Sequence, residues 1–553
     1  MRLLCPLLLG VSLLAQPGQP QYAPSGKPGS VEGTVIDQVT QAPVRKAAVT
    51  IINTMGGYAF AGATDSQGKF RIDNADPGRY IVQNVVAQGY WYNGPRTMES
   101  AFTVNEEEHV TGIKVELQPF GVIAGKVVNE DGEPMRDVSI QAFAYTYVRG
   151  VKRIGNSAGT NSDDRGEFRL SDLRPGRYLV RAWLWAGSGQ VFLNAGMNNG
   201  PPPPNTHSNI PETGYPYSFY PNTSDPAQAT LVRVSPGNTT PGIDFQMRSV
   251  PVFHIRGRVA GVSQDFRPSV SATECSHGGS SNPDGVYNAP VDPGGAFDLP
   301  GLVPGTYCLS IAAGRRNAAA FARQTVTIND RSIHDVEVTL QTSSPVSGVV
   351  SVDGQSPVLP RMRLNLERLD GTGGTFGAGV TDGKFEIAAM PSGTYQILAV
   401  GLQPTMYLKS VQYNSQEAPT GSVAIGPEGG QISLLIGTDA GILTGTVQTE
   451  SGDPAASVDI TVAPDDSLSQ RADLVKTGAT DSKGSFQIRG LAPGNYKVYA
   501  WEDHDLNGLP SVLDFRKQFS SYAAAVVVSP GATASVQVKS IPAKETQPVK
   551  ERF

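Results

Sequence analysis

Residues 65–80 read DSQGKFRIDNADPGRY, and close variants of this stretch return four more times in the 553-residue chain. They are SDDRGEFRLSDLRPGRY (162–178), VDPGGAFDLPGLVPGTY (291–307), TDGKFEIAAMPSGTY (381–395) and TDSKGSFQIRGLAPGNY (480–496). Counting from the Phe, a Gly follows at eight residues and a Tyr at ten in every copy. The pairs are Phe70/Tyr80, Phe168/Tyr178, Phe297/Tyr307, Phe385/Tyr395 and Phe486/Tyr496. A second mark, G-x-V, lies 37 to 43 residues upstream of each Phe, at Gly33–Val35, Gly125–Val127, Gly257–Val259, Gly348–Val350 and Gly445–Val447. Internal repetition of this kind means one supersecondary unit used several times.

Each mark has a local physical reading. Asp65 to Gly68 has an Asx residue at the start and Gly near the end, which suits a tight turn between two strands. Pro77–Gly78 predicts a type II turn, with Pro presetting one dihedral and Gly supplying a positive φ. The fourth copy has a shorter first turn and replaces the Pro–Gly pair with Pro391–Ser392–Gly393. Phe and Tyr open the strands after the turns, where large rings plug a core. Beyond each Tyr, alternate residues are mostly apolar, as in Val180/Ala182, Leu309/Ile311, Ile397/Ala399 and Val498/Ala500; Asn84 breaks the pattern in the first copy. That period of two marks a half-buried strand. Runs such as VSIQAFA (138–144) and VDITV (458–462) upstream, and GIKVEL (112–117) and DVEVTL (335–340) downstream, complete each unit. Roughly seven short strands per ~90 residues predict an antiparallel β-sandwich.

The chain is too long for one core and calls for about three to five domains. Successive G-x-V marks stand 92, 132, 91 and 97 residues apart. The fold class is therefore all-β, a tandem array of about five antiparallel sandwiches over residues 30–118, 119–249, 250–342, 343–440 and 441–543. The second carries a Pro/Tyr-rich insertion (186–230) that includes GMNNGPPPPNTHSNIPETGYPYSFYP (196–221). Residues 17–29 and 544–553 read as flexible ends, and a short helix is expected near 511–519. At the start, one Arg precedes the apolar run Leu3–Leu14, with Ala15 before the break. This is a secretory signal over residues 1–16, too short to cross a bilayer as a mature helix. The mature chain is expected to be exported and not membrane-spanning.

The combination G-x-V, T-D-x-x-G-x-F and L-x-P-G-x-Y resembles the carboxypeptidase regulatory-like domain, a transthyretin-like β-sandwich of exported bacterial proteins. The resemblance touches nearly the whole mature chain. It implies an Ig-like or transthyretin-like sandwich in each unit. Domains of this family accompany peptidases, outer-membrane transporters and surface proteins, and share a superfamily with carbohydrate-binding modules. The motifs are turns and core plugs, so they specify the fold and not an activity.

Composition excludes some functions. With 44 basic against 50 acidic residues and no long run of either sign, the footprint of a nucleic-acid binder is missing. The six histidines are scattered and no H-E-x-x-H or C-x-x-C occurs, so a zinc peptidase site has no ligands. GNSAG (155–159) matches G-x-S-x-G, but a hairpin turn and strand follow Ser157 where a nucleophile elbow requires a helix. DHDLNGLPSVLD (503–514) places Asp503, Asp505, Asn507 and Asp514 at positions 1, 3, 5 and 12 with Gly508 at 6, a spacing that lets oxygens converge on Ca²⁺. Asp is short for the last position and Pro510 interrupts the loop, so a plain polar loop is the competing reading. Cys275 and Cys308 either pair, as export permits, or stay isolated thiols. Strand parity speaks against pairing, because Cys308 follows Tyr307 and turns away from the side that ring faces.

Aromatic residues are the other candidates. All four Trp fall five to eleven residues after a repeat Tyr. By parity Trp183, Trp185 and Trp501 face away from the core, beside Tyr217 and Tyr220 of the insertion. Exposed rings there would stack on sugars, unless the loops fold back over them. The sequence thus points to an exported, non-catalytic binding or scaffold protein of the cell envelope, not an enzyme, with an envelope polysaccharide or a surface protein as partner. The alternative is carbohydrate binding through Trp183, Trp185, Tyr217, Tyr220 and Trp501. No cofactor is expected apart from the Ca²⁺ option.

Overall fold

The computed structural model describes residues 26–54, 57–92, 94, 101–184, 213–261, 268–275, 287–313, 320–342, 344–354, 362–369, 375–465, 468, 471–481 and 483–553. The signal at 1–16, Trp185 and most of the 186–230 insertion lie outside them. The chain divides into a smaller unit, Met1–Gln88 with Tyr92–Leu117, and a larger one, Gly89–Trp91 with Gln118–Phe553. The protein is all-β. In the smaller unit, strands Lys69–Ala75, Gly29–Asp37 and His109–Pro119 lie side by side in one sheet, and Ala59–Ala63, Ala48–Asn53, Gly78–Val86 and Phe102–Val104 form the other. The larger unit repeats this plan. Its second to fifth sandwiches open with strands Gly121–Val128, Phe253–Ala260, Ser344–Val352 and Gly441–Gln448. In the fifth, Thr533–Ile541 pairs with Gly441–Gln448 and also, at Ser540 and Ile541, with Ala500 and Trp501, so its strands form one continuous sheet.

Pairing is not purely antiparallel. In every sandwich the opening strand runs antiparallel to the Phe strand on one side and parallel to a closing strand on the other. Opening and closing strands enter from the same end, which makes their contact parallel.

The two repeated marks prove to be one contact. Gly33 sits directly across from Phe70, Gly125 from Phe168, Gly257 from Phe297, Gly348 from Phe385 and Gly445 from Phe486. At each glycine the Phe ring lies over the bare Cα while a carbonyl of the closing segment presses from the parallel side. A Cβ would meet that carbonyl oxygen at 2.2 Å (Ile113), 2.0 Å (Ile243), 2.1 Å (Val336), 2.1 Å (Ile432) and 2.5 Å (Val536). The rings themselves are 2 to 5% exposed, and burying each one is worth about 1.5–3 kcal/mol.

The repeat Tyr has an equally uniform task. Its hydroxyl donates to the carbonyl four residues back: Tyr80 to Asp76 (2.8 Å), Tyr178 to Arg174 (2.6 Å), Tyr307 to Val303 (2.9 Å), Tyr395 to Pro391 (2.7 Å) and Tyr496 to Ala492 (2.8 Å). The ring fills the core while the phenol fastens the preceding turn, which explains why Tyr and not Phe recurs here. Burial pushes the phenols of Tyr178 (to about 12), Tyr307 and Tyr496 up, keeping them protonated donors.

The first turn forms as expected. Asp65 Oδ1 accepts from the Gln67 and Lys69 amides, and Asp163 and Asp481 repeat the pattern. Gly68, Gly166, Gly295 and Gly484 follow at φ of 71° to 87°. In the fourth copy Asp382 (φ 49°) and Gly383 (φ 71°) form a two-residue hairpin turn, which accounts for its shorter length. The Pro–Gly pair, however, does not make the expected type II turn. Gly176, Gly393 and Gly494 are nearly fully extended (φ 156° to 159°) and begin the Tyr strand. The left-handed residue stands four after the Phe, at Asn74 (φ 59°), Asp172 (59°), Gly301 (78°) and Gly490 (72°). Those residue types tolerate that region, and strand pairing shifts register between there and the next partner.

The end of the sequence departs from the flexible tail expected there. Ala543–Lys550 is a helix, and Thr546 within it is fully buried. A second short helix, Leu513–Lys517, lies where one was expected.

Candidate functional site

The aromatic ends of the second and fifth sandwiches take the parity read from the sequence but not the exposure. Tyr496, Val498 and Ala500 point into the fifth core, and Tyr499 and Trp501 point to the other face. That face is covered. Leu506, Leu509, Phe515 and Phe519 fold over it together with Ile541, leaving Trp501 0% exposed. Its ring stacks on Tyr499 (5.5 Å), meets Phe519 edge-on (5.3 Å), and its Nε1 donates to Thr461 Oγ1 (3.1 Å). A sugar has no access to Trp501.

In the second sandwich Leu179, Phe143, Tyr217 and Phe219 form a small outer cluster against which Trp183 packs. Strand Thr213–Phe219 of the insertion pairs with Gly176–Leu184, and this pairing buries Tyr217 (6% exposed). Tyr220 packs into the main core and meets Phe245 edge-on. Trp183 is half-buried, with the Arg181 guanidinium 4.3 Å over its ring. Arg181 also lies 5.0 Å over Phe143 and donates to Gln141 Oε1 (2.5 Å). Trp501 and Tyr217 are therefore taken up in internal packing, while Trp183 and Tyr220 stay half-buried.

The loop 503–514 meets an ammonium group. Lys550, on the last helix, places Nζ 2.9 Å from Asp503 Oδ2 and 3.8 Å from Asp505 Oδ2. Asp503 Oδ2 also accepts from Thr546 Oγ1 (2.7 Å), while Asp503 Oδ1 accepts from the Asp505 amide (3.0 Å). Asn507 Nδ2 lies 3.4 Å from Asp505 Oδ1. Asp514 points away and pairs with Lys517 (3.0 Å). Among the described residues no three acidic, His or Cys groups come together to hold a metal. The alternating oxygens are present, but Asp503 and Asp505 converge on Lys550. Burial pushes the Asp505 carboxyl up to about 6, against the pull of Lys550 and Arg177 and with the push of Asp503.

The remaining polar groups form local pairs. His254 Nδ1 lies 2.5 Å from Asp298, which Arg256 also binds (2.9 Å). The hydrogen bonds from His254 and Arg256 hold the Asp298 carboxyl below the usual carboxylate range despite burial. His504 pairs with Asp459 (3.0 Å), and this hydrogen bond raises its pKa. Ser30 Oγ, His109 and Glu32 also touch in sequence, at 2.6 and 3.3 Å. They do so because Ser30 and His109 are register partners on adjacent strands of an exposed face. Ser157 lies within strand Val151–Asn161, not at an elbow.

Cys275 and Cys308 are joined in the structure, with Cα atoms 5.0 Å apart. The parity objection fails for a simple reason. Thr273 is the partner of Cys308 across the sheet, and Cys275 is two residues beyond Thr273. Both cysteines thus lie on the face opposite Tyr307, and the bridge crosses the outer side of the sheet. Facing away from Tyr307 separates Cys308 from the core but not from Cys275.

Residues 30–118 and 442–540 match the family model of the carboxypeptidase regulatory-like domain. No curated protein matches the sequence. Among solved structures the chain is similar to a streptococcal ancillary pilin (10% identity, 52% of this chain and 99% of that one, TM-score 0.18). GBS52, the minor pilin of Streptococcus agalactiae, gives 16% identity over 40% of this chain and 97% of its own, with a TM-score of 0.21. BcpA, the major pilin subunit of Bacillus cereus, gives 10% identity over 57% and 100%, with a TM-score of 0.15. At such scores these likenesses carry no argument about function. The family match is of another kind, since it falls on the first and last sandwiches, each with its Gly–Phe contact and Tyr-fastened turn: both are similar to carboxypeptidase regulatory-like domains.

Proposed function

We propose that the chain is an exported, non-catalytic binding or scaffold protein of the bacterial cell envelope. One observation carries this reading. What recurs is mechanical: a glycine under a ring and a phenol fastening a turn in all five sandwiches, and an Asx turn in four of them. The polar contact that recurs with them is structural too: a buried hydroxyl (Thr64, Ser162, Thr480) bridges a backbone amide and a backbone carbonyl, and the acidic loop and the rings of Trp501 and Tyr217 are taken up in packing. A protein partner fits better than a polysaccharide, because Trp501 and Tyr217 are covered.

The test uses purified residues 17–553 against a cell-wall polysaccharide array, a panel of ester, peptide and glycoside substrates, and affinity capture from envelope extracts. The expected result is no turnover, and saturable binding of an envelope protein that Trp183→Ala leaves unchanged. Hydrolysis of any substrate class would overturn the reading. Polysaccharide binding lost in Trp183→Ala would replace it with the carbohydrate-binding alternative.

A further inference from the structure

The second, fourth and fifth sandwiches touch in a closed circuit, and the third is joined to the second. Second and third are joined where Thr213 pairs with Pro251 and Gly214 with Val250. Fourth and fifth meet where Arg471, held by Asp473 (2.7 Å), donates to the Leu408 carbonyl (2.9 Å) beside Tyr407, Ala440 and Leu474. Chain order explains such joints between neighbours. It does not explain the return contact, which the long hairpin Ser139–Val148/Val151–Asn161 makes from the second sandwich to both the fourth and the fifth.

Toward the fourth sandwich, Arg149 and Arg153 both donate to the carboxylate of Glu367, whose side chain is only 13% exposed. Arg153 holds this position although its Nε is buried without a hydrogen-bond partner. Toward the fifth, the Tyr147 amide donates to the Asn507 carbonyl (2.8 Å) and the Gly150 amide to Ser511 Oγ (2.9 Å). Tyr147 OH and Lys152 Nζ both donate to the main-chain oxygen of Phe553, and Arg177 donates to the Lys550 carbonyl. Gly508 fits this seam because it has no side chain: at φ 80°, its Cβ would stand 1.9 Å from the Tyr147 carbonyl oxygen.

We propose that this hairpin is a clamp that locks the second, fourth and fifth sandwiches into one rigid body, with Arg149, Arg153 and Glu367 as its charged latch. The clamp is independent of what the protein binds. Each seam contact is weak between separate molecules, but the neighbouring joints hold the partners at high effective concentration, so weak contacts suffice to close the circuit. The charged latch is the point of control. Two cations share one nearly buried carboxylate, and reversing the charge of that single group converts two attractions into two repulsions in a poorly solvated seam.

The test is electron–electron distance measurement on the full chain carrying Cys5→Ser, with spin labels at Lys126→Cys in the second sandwich and Val400→Cys in the fourth, both exposed. Cys275 and Cys308 are bridged and take no label. A single narrow distance distribution is expected. Glu367→Arg should broaden it toward longer distances, and adding Arg149→Glu with Arg153→Glu should narrow it again. A width unchanged by Glu367→Arg overturns the proposal, as does failure of the charge swap to restore it. Should circular dichroism show that Glu367→Arg unfolds the fourth sandwich, Arg149→Ser with Arg153→Ser decides: broadening supports the clamp and no change refutes it.

Discussion

Replacing Gly33 by Ala separates two opposed effects whose sizes the structure supplies. Gly33 does not have a positive φ, so Ala can adopt its backbone. On chain entropy alone the substitution should then stabilise by about 0.4–1 kcal/mol. Against this, the new Cβ would lie 2.2 Å from the Ile113 carbonyl oxygen and 2.6 Å from Phe70 Cζ. The carbonyl belongs to the parallel strand His109–Pro119, so relief requires moving backbone by about an ångström or turning the ring out of the core. Overpacking of this kind costs about 1–3 kcal/mol, and here two neighbours are hit at once, so the upper end applies. The net expectation is a loss of about 2 kcal/mol. The smaller unit has its own core, and urea unfolding of residues 26–118 followed by circular dichroism reads the change directly. With a slope of about 1 kcal/mol/M for a domain of this size, the midpoint should fall by about 2 M at unchanged slope. Combining Phe70→Leu with Gly33→Ala should recover the ring's share but not the carbonyl's, so the double variant should cost less than the sum of the single variants. A midpoint that stays put or rises would refute the account of why Gly and Phe recur together.

Three further outcomes follow from the same geometry. Tyr395→Phe removes a 2.7 Å hydrogen bond from a fully buried phenol and should lower the stability of the fourth sandwich by about 1 kcal/mol, read as faster hydrogen exchange at residues 392–397. Reducing the Cys275–Cys308 bridge, which closes a separation of 33 residues, should cost the third sandwich about 2–4 kcal/mol; a melting transition indifferent to reductant would contradict the bridge. Asp505 titrates near 6 when folded, above the ordinary carboxylate value. The folded state therefore binds its proton more tightly than the unfolded state, and this group's destabilising charge is relieved as pH falls from 7 toward 4. Asp505→Asn should accordingly stabilise the fifth sandwich at pH 7 and lose that advantage at pH 4, in thermal melts of both proteins at both values.

The fold is legible in the sequence because its specifying residues recur. The Phe–Gly–Tyr spacing locates every sandwich, and the G-x-V mark locates every opening strand. What the one-dimensional view lacks is that Gly33 and Phe70 touch, since a spacing that drifts from 37 to 43 residues hides a fixed cross-strand pair behind variable loops. The Pro–Gly expectation fails in a related way. Turn chemistry allows a positive φ at Gly78, but the strain-tolerant residue the chain uses is Asn74, before the Pro, where the strand shifts register. Both residue types stand in the same short stretch, and only the pairing decides between them.

The candidate sites are less legible, and the cause is physical. A period of two tells which side of a sheet a residue faces but not what lies against that side. Trp501 does face away from its core, yet the segment Leu506–Phe519 brings a second apolar layer over it. Asp503 and Asp505 do bring oxygens together, but the group that meets them is Lys550, 45 residues or more along the chain. Residues with such long-range tasks occur once each. Arg149, Arg153, Glu367 and Lys550 have no counterparts in the other sandwiches for the sequence to be compared against. Self-comparison therefore recovers what every sandwich needs and is silent on what joins them. The joining residues are also where this chain departs from a string of independent domains, because their contacts cross from one sandwich to another.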